Sequence, residues 1–442
     1  MPAVPAEPTN ALGVASFRYL WINSLTFYMV ANALRFVYGW IALEGLDANE
    51  SIQGLMVFLL GLPGIFLLLP AGVWADRMNR RNLLVGSQLA TAVVMVITAV
   101  AIGGGALSLG LVMGSALLAG VTTAIGSPVR SSLIPELLPA NLLYSGIALN
   151  ALALTSSLIV GAVTAQIIGN IFDFDGVFWY LAILLIVGAF PVTRLSGARR
   201  EPGESGRVTM GEAVREGLSF VFHHRALRTL FGLLALAGFV MNALMFVTLQ
   251  AVVKEELGRD AGDAAPLLAI MGVGLAISSV GVMRSGNMRN KGTFFMRAMM
   301  VGTACLFLMG RATAYWQLMV LALIMGCAGG IFINMNQGLI QSNTPGDLMG
   351  RVMGLFTLVQ GGLTPLGALT MGLIATAIGP GLTMSIAAAF AFFVVVYTYF
   401  TSPELRILGN AQVDAEAAES ASDSDQAGDV PNTSGNRSSS DG

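Results

Sequence analysis

Charge is what this chain of 442 residues lacks most. Only 11% of its residues are Asp, Glu, Lys or Arg, while 55% are hydrophobic. Soluble domains carry about a quarter charged residues, so a large soluble core is excluded and a chain crossing a membrane many times is implied. Histidine is almost absent, and the two present, His223 and His224, are adjacent and cannot face one metal ion from a helix. The two cysteines, Cys305 and Cys327, lie in separate apolar runs and read as packing residues rather than a disulfide or metal pair. No Gly-rich loop precedes a Lys-Ser/Thr pair, so nothing cradles nucleotide phosphates. No carboxylate pair falls inside the apolar runs. These absences disfavour an ATP-driven pump and a membrane hydrolase, and no catalytic residue, metal site or cofactor is expected. Met1–Ala15 is uncharged but for Glu7 and does not read as a signal peptide.

What is present is apolar sequence in membrane-length pieces. Twelve segments emerge: 17–42, 52–75, 82–103, 107–129, 145–169, 176–195, 227–252, 264–284, 293–310, 316–340, 350–378 and 380–400. Each approaches the ~20 residues that cross the hydrocarbon layer. None contains Asp or Glu, and Arg35 is the one clear mid-span arginine. The 53 glycines suit helices that approach closely in lipid, as at Gly110 and Gly114. Basic residues set the orientation. With a cytoplasmic N-terminus, 19 of the 23 Lys and Arg residues fall inside, leaving Lys254, Arg259 and Arg311 outside. The short outer loops carry Glu44, Asp47, Glu50, Asp173 and Asp175 instead. Both termini are therefore expected in the cytoplasm.

The chain also repeats. VANAL at 30–34 corresponds to VMNAL at 240–244, and FRYLW at 17–21 to LRTLF at 227–231, both at an offset of 210. Pro135 matches Pro345 at the same offset, and the charged hairpin at Gly72 matches one at Gly281. The expected organisation is an N-terminal segment 1–16, a six-helix bundle 17–195, a charged linker 196–226, a second bundle 227–400 and a disordered acidic tail 401–442. Within the linker, Val208–Phe222 has the spacing of an amphipathic helix on the inner leaflet surface. The tail has too few large apolar residues to fold.

The hairpin GVWADRMNRRN at 72–82 resembles the loop after the second helix of major facilitator superfamily transporters. Gly72, Ala75, Asp76, Arg77, Arg80 and Arg81 match that pattern, while Trp74 and Asn79 depart from it. The resemblance covers residues 17–400 and implies the all-α major facilitator fold, with twelve transmembrane helices in two six-helix repeats. FRYLWINSL, GSPVRSSLIPELLPANLLYSGIALNAL at 126–152 and GRVMGLFTLVQGGLTPLGAL at 350–369 look most like the macrolide-efflux and enterobactin-export branch. That kinship implies export of a drug-like or siderophore-like molecule, in exchange for protons. Three departures bear on coupling: Ala31 and Asn32 do not ionise, Gly161–Ala165 lacks the fifth-helix antiporter proline, and the fourth segment, 107–129, has no embedded arginine.

In that fold the first, fourth, seventh and tenth helices line the cavity. The polar residues there are Tyr28, Asn32 and Arg35 on the first helix, Asn242 on the seventh, and Asn334 and Gln337 on the tenth. Asn32 and Asn242 either pack helices together or touch cargo, and Arg35 either snorkels outward or recognises an anionic or catechol-like group. The resemblance also implies a cytoplasmic gate of Gly72, Asp76, Arg77, Arg80, Arg81 and Arg351, with Asp76 set against the start of the eleventh helix. The implied partners are a small-molecule substrate, the bilayer of a bacterial inner membrane and, by kinship, protons. No nucleic acid is implied, and a monomer is expected. A facilitative or uptake carrier and a transport-inactive sensor remain as alternatives.

Overall fold

Elongated apolar runs with few acids have one way to satisfy their backbone in lipid, the helix, and the computed structural model is helical accordingly. It describes residues 10–139, 142–195, 210–284, 290–346 and 348–407, and for residues 68–77, 127, 131–132, 144, 148, 151, 155, 158–159 and 210–214 the backbone path only. Among the described residues there is no strand. In chain order the helices are α1 (Ala15–Trp40), α2 (Glu50–Arg77), α3 (Arg80–Gly103), α4 (Leu109–Leu137), α5 (Leu143–Val192) and α6 (Met210–His223). There follow α7, which starts as Arg225–Leu236, then α8 (Ala264–Arg284), α9 (Lys291–Met309), α10 (Tyr315–Ser342), α11 (Met349–Ile378), α12 (Pro380–Thr401) and α13 (Pro403–Ile407).

Ten of the described segments are long and apolar enough to cross a membrane, against twelve expected. Two features account for the difference. In α1 the side chains of Arg18, Asn23, Ser24, Asn32 and Arg35 lower the hydropathy of an otherwise sufficient 26-residue helix. In α5 the expected fifth and sixth segments are continuous but for a break at Phe172 and Asp173, where Asp173 takes φ 58°.

The fourth helix is longer than the sequence suggested. It runs on to Leu137 with Pro128 and Pro135 inside it, so Arg130, placed beyond the helix by the sequence reading, belongs to α4. Proline removes one backbone bond and crowds the preceding turn, but neighbouring helices can absorb both within a membrane protein.

The internal repeat reappears in backbone geometry that the letters do not share. α1 ends in a π-turn, Ile41–Gly45, and α7 ends in another, Val252–Glu256. Leu46 and Leu257 follow with φ −107° in both. Asp47 and Gly258 then take positive φ, 44° and 62°. The next amide closes each turn, Ala48 N–H to Ala42 O at 2.9 Å and Arg259 N–H to Val253 O at 3.2 Å. All of these pairs stand 211 residues apart.

Packing joins the two stretches of chain. α1 lies along α5 and α8 along α10, while α2–α11 and α5–α8 cross between the stretches. The α2–α11 contact is backbone on backbone: a side chain at Gly54 would strike the Ala368 carbonyl oxygen. The linker helix α6 falls within two residues of its expected start. Val221 is buried among Leu227, Phe231 and Phe356, and Glu216 pairs with Arg351 at 2.7 Å, tying α6 to the start of α11. Where a disordered tail was expected from 401, the chain first forms α13. There Leu405 is buried, Arg406 O accepts a bond from Thr293 Oγ1 at 3.1 Å, and Glu404 pairs with Arg225 at 3.1 Å. Residues 408–442, and with them the rest of the expected tail, lie outside the described residues, as do 1–9 and 196–209.

Candidate transport pathway

Between Leu20 and Leu43, α1 has a single exposed residue, Arg35. Its partly accessible residues include Trp21, Leu25, Tyr28 and Ala31, three or four apart, so with Arg35 they form one stripe along one side of the helix. α7 has a matching stripe through Gly232, Ala235, Phe239, Asn242 and Phe246. The two stripes face each other, since the Arg35 guanidinium carbon lies 5.8 Å from the centre of the Phe246 ring. A surface that is accessible on a helix otherwise buried in protein is an internal cleft, not a lipid face. It stops abruptly at Arg35, beyond which Phe36–Leu43 are all buried.

What stops it is a seal between the two stretches of chain. Gln53 Nε2 donates to Gln250 Oε1 at 2.9 Å, and Gln250 Nε2 donates to the Phe36 carbonyl at 3.0 Å, all three residues buried. Nearer the surface, Trp40 Nε1 donates to Asp260 at 2.9 Å, the Ala261 amide to Glu44 at 2.9 Å, and Gln166 to Asp263 at 3.3 Å. Lys254 bonds the Leu43 carbonyl and pairs with Asp47 at 3.3 Å. Ser51 Oγ bonds Thr376 Oγ1 at 2.7 Å, and that hydroxyl donates to Glu50 Oε2 at 3.1 Å. The exposed ion pairs contribute little, about 0–1 kcal/mol each. The buried glutamines matter more, because an unpaired buried amide costs about 1–3 kcal/mol.

The seal also brings two carboxylates together just beyond the ends of the expected apolar runs. Glu50, 4% exposed, lies beside the exposed Glu255 across the interface. α2 starts two residues before the expected segment and α7 runs on four residues past its expected end. That shift brings together two acids 205 positions apart. Two carboxylates this close repel when both are ionised, and a proton on one of them relieves the repulsion.

The correction falls on Arg130. It is fully buried, stacked on the Phe27 ring at 3.7 Å and 5.8 Å from that of Tyr28. Its Nη2 donates to Asn23 Oδ1 at 3.0 Å. Asn23 is held in turn by Gln88 Oε1 at 2.6 Å and the Gly188 carbonyl at 2.9 Å. No carboxylate among the described residues pairs with this cation, so ring face and amide carry its charge. A desolvated cation–π contact is worth about 2 kcal/mol, and hydrogen bonds to a charged group about 1.5–3 kcal/mol. The sequence signal was available: an arginine within one turn of the apolar run 107–129, flanked by Pro128, which does not end the helix.

The remaining predicted residues separate. Tyr28 lies in the cleft, its hydroxyl 3.5 Å from Asn150 Nδ2. Asn32 is buried and donates to Ser157 Oγ on α5 at 2.9 Å. Asn242 faces the cleft, half-buried. On α10, Asn334 shares the face of the exposed Trp316 and is tied to Ser279 Oγ at 2.9 Å and Gly330 O at 2.7 Å. Gln337 is half-buried. The amide on α10 that points at α7 is Asn336, fully buried beside the Leu230 carbonyl at 3.5 Å. Of the expected gate, the side chains of Gly72, Asp76 and Arg77 lie outside the described residues. Arg80 pairs with Glu136, Arg81 is half-buried, and Arg351 is engaged by Glu216.

A family model described as Major Facilitator Superfamily matches residues 20–368. The chain belongs to the major facilitator superfamily. Solved structures of similar fold agree. A variant of the nucleoside transporter NupG aligns with TM-score 0.71 at 11% identity, covering 88% of this chain and 99% of that one. A POT family transporter in complex with 5-aminolevulinic acid aligns with TM-score 0.67 at 14% identity, covering 89% and 96%. The POT family transporter PepTSo aligns with TM-score 0.67 at 11% identity, covering 89% and 98%. No curated protein matches the sequence. As a member of this superfamily the chain is a multi-pass membrane transporter rather than an enzyme. The α1–α7 cleft is its candidate cargo path.

Proposed function

We propose that this transporter exports an amphipathic small molecule by alternating access across a bacterial inner membrane. It does so as a monomer of twelve helices in two bundles, 17–195 and 227–400, with both termini cytoplasmic. The observation that carries this reading is the cleft between α1 and α7, accessible below Arg35 and sealed above it. With the basic residues placed inside, the seal is the outer gate and the cleft opens to the cytoplasm. That is the state in which an exporter collects cargo. Apolar and aromatic groups, Trp21, Phe239 and Phe246, line the cleft among few polar ones, which suits an amphipathic solute better than a sugar or ion. Proton exchange is supported by the resemblance of residues 126–152 and 350–369 to the macrolide and enterobactin exporters, and Glu50–Glu255 supplies a titratable contact between the bundles. At the cytoplasmic end we assign the opposing gate to Asp76, Arg77 and the start of α11.

Comparing intracellular and extracellular metabolites of cells with and without the gene tests export. An exported compound builds up inside cells that lack it, and everted vesicles containing the protein take that compound up. Uptake only by right-side-out vesicles would instead make it an importer, the role that also fits the seal if cargo is released inward.

A further inference from the structure

We propose that Arg35 is the cargo-binding charge of this transporter, and that the cargo is an amphipathic organic anion presenting a carboxylate. The inference rests on the reading of the α1–α7 cleft as the cargo path. Arg35 lies at the blind end of the cleft, where the accessible stripe meets the buried turn Phe36–Leu43. Among the described residues it has no hydrogen-bond or ion-pair partner, and the Phe246 ring lies at 5.8 Å. No carboxylate, carbonyl or hydroxyl among the described residues accepts from its five guanidinium N–H groups. The protein's other deep arginine provides the contrast: Arg130 is enclosed, stacked and hydrogen-bonded, and carries no accessible surface.

An unpaired cation inside a membrane protein is expensive, and such residues pair or mark a path for charged solutes. Arg35 cannot snorkel along α1 to the nearer surface, because every residue of the next two turns is buried. Its charge is therefore directed into the cleft. The planar fork of a guanidinium matches a carboxylate with two parallel bonds. Among the described residues Arg35 is the one cation of this region without a partner, since Lys254 is engaged by Leu43 and Asp47 in the seal, and one cation offsets one negative charge. This favours a monoanion over a phosphate ester. Phe246 beside the guanidinium, Phe239 and Tyr28 along the stripes, and the half-buried amide of Asn242 then receive the rest of the solute.

The test uses cells lacking the gene, complemented with wild type, Arg35→Gln or Arg35→Lys. Compounds that build up without the gene are passed over an anion-exchange resin at neutral pH, and again after methyl esterification. The expected result is retention that esterification abolishes. Export should fall at least tenfold in Arg35→Gln and by less in Arg35→Lys, at matched expression and thermal stability. In purified protein, 2-naphthoate should protect wild type against heat more than methyl 2-naphthoate does, and this difference should vanish in Arg35→Gln. Accumulated compounds that are neutral or cationic would overturn the anion site while leaving the transporter reading intact. Equal protection by acid and ester in wild type would overturn it too. Finding no compound that accumulates would overturn the transport reading, and the anion site with it.

Discussion

The two bundles treat the same positions in opposite ways. In the first, Asn23 and Arg130 form a fully buried polar contact between α1 and α4. At the equivalent places in the second, 210 residues on, stand Leu233 and Ile340, buried just as completely on α7 and α10. Arg35 faces the cleft, whereas its counterpart Met245 is buried. Asn32 is spent on Ser157, whereas Asn242 is left half-exposed. At the sealed end the bundles agree instead, down to the π-turn, the positive φ and the closing hydrogen bond. The repeat therefore preserves the geometry that lets the bundles meet, and the middle of each helix is where they diverge. Burying a polar network is no requirement of the fold, since apolar packing fills the same site in the second bundle. Such replacements are often neutral or stabilising. The first bundle keeps Asn23–Arg130 and Arg35 for work that the second does not share.

Transplanting the second bundle's solution sharpens this contrast most. Arg130→Ala alone should destabilise by about 3 kcal/mol or more, since it strands Asn23 Oδ1 and empties a buried volume. Asn23→Leu with Arg130→Ile should recover much of that loss in thermal stability yet remain inactive in vesicle transport. Full activity in the double variant would make the network mere packing.

Next in size is the seal. Gln250→Ala leaves the buried Gln53 amide without its partner, an effect of about 1–3 kcal/mol and roughly a five- to hundredfold shift toward the outward-open state. Spin-label distances between positions 48 and 259 should report a larger separated fraction. An unchanged distance distribution would remove the glutamine pair from the gate.

Glu255→Gln should act more gently. It places a neutral amide beside Glu50, in a setting that also includes Lys254, Glu256, Glu44 and Asp47. In wild type the seal should loosen as pH rises, because both carboxyls then ionise and repel. In Glu255→Gln the same distance measurement should respond less to pH. Identical pH responses in the two proteins would take the proton out of the contact.

The asparagines divide in the same spirit. Asn32→Ala should cost about 1 kcal/mol of stability with cargo affinity unchanged. Asn242→Ala should leave stability unchanged and weaken cargo binding severalfold. The reverse assignment would exchange their roles. Smallest of all, truncation after Leu408 should alter neither insertion nor transport, because α13 and its bonds to Arg225 and Thr293 remain.

Much of the scaffold was legible in the letters. Apolar runs, the 210-residue offset and the hairpin at Gly72 led to an all-helical superfamily member, and the stripe Tyr28–Arg35 was identifiable from spacing alone. Illegible was whatever depends on where a helix stops. Arg130 was missed because the fourth apolar run stops at 129, one residue short of it, and Glu50–Glu255 because each acid sits a few residues beyond its apolar run. Asn334 and Gln337 were chosen for polarity on a cavity helix, but the rotation of α10 turns Asn336, not Asn334, toward α7. Rotation about an axis is set by partners far away in sequence, and amphipathic contrast is weak when nearly every face is apolar.

The central claim is that the cleft is open to the cytoplasm and shut outside. Single cysteines introduced as Tyr28→Cys and Asn242→Cys, in a background where Cys305 and Cys327 are replaced by alanine, test it directly with a membrane-impermeant maleimide. Both positions should label in everted vesicles and resist labelling in right-side-out ones. Labelling from the outer face alone would contradict the orientation, the assignment of the seal and the direction of transport together.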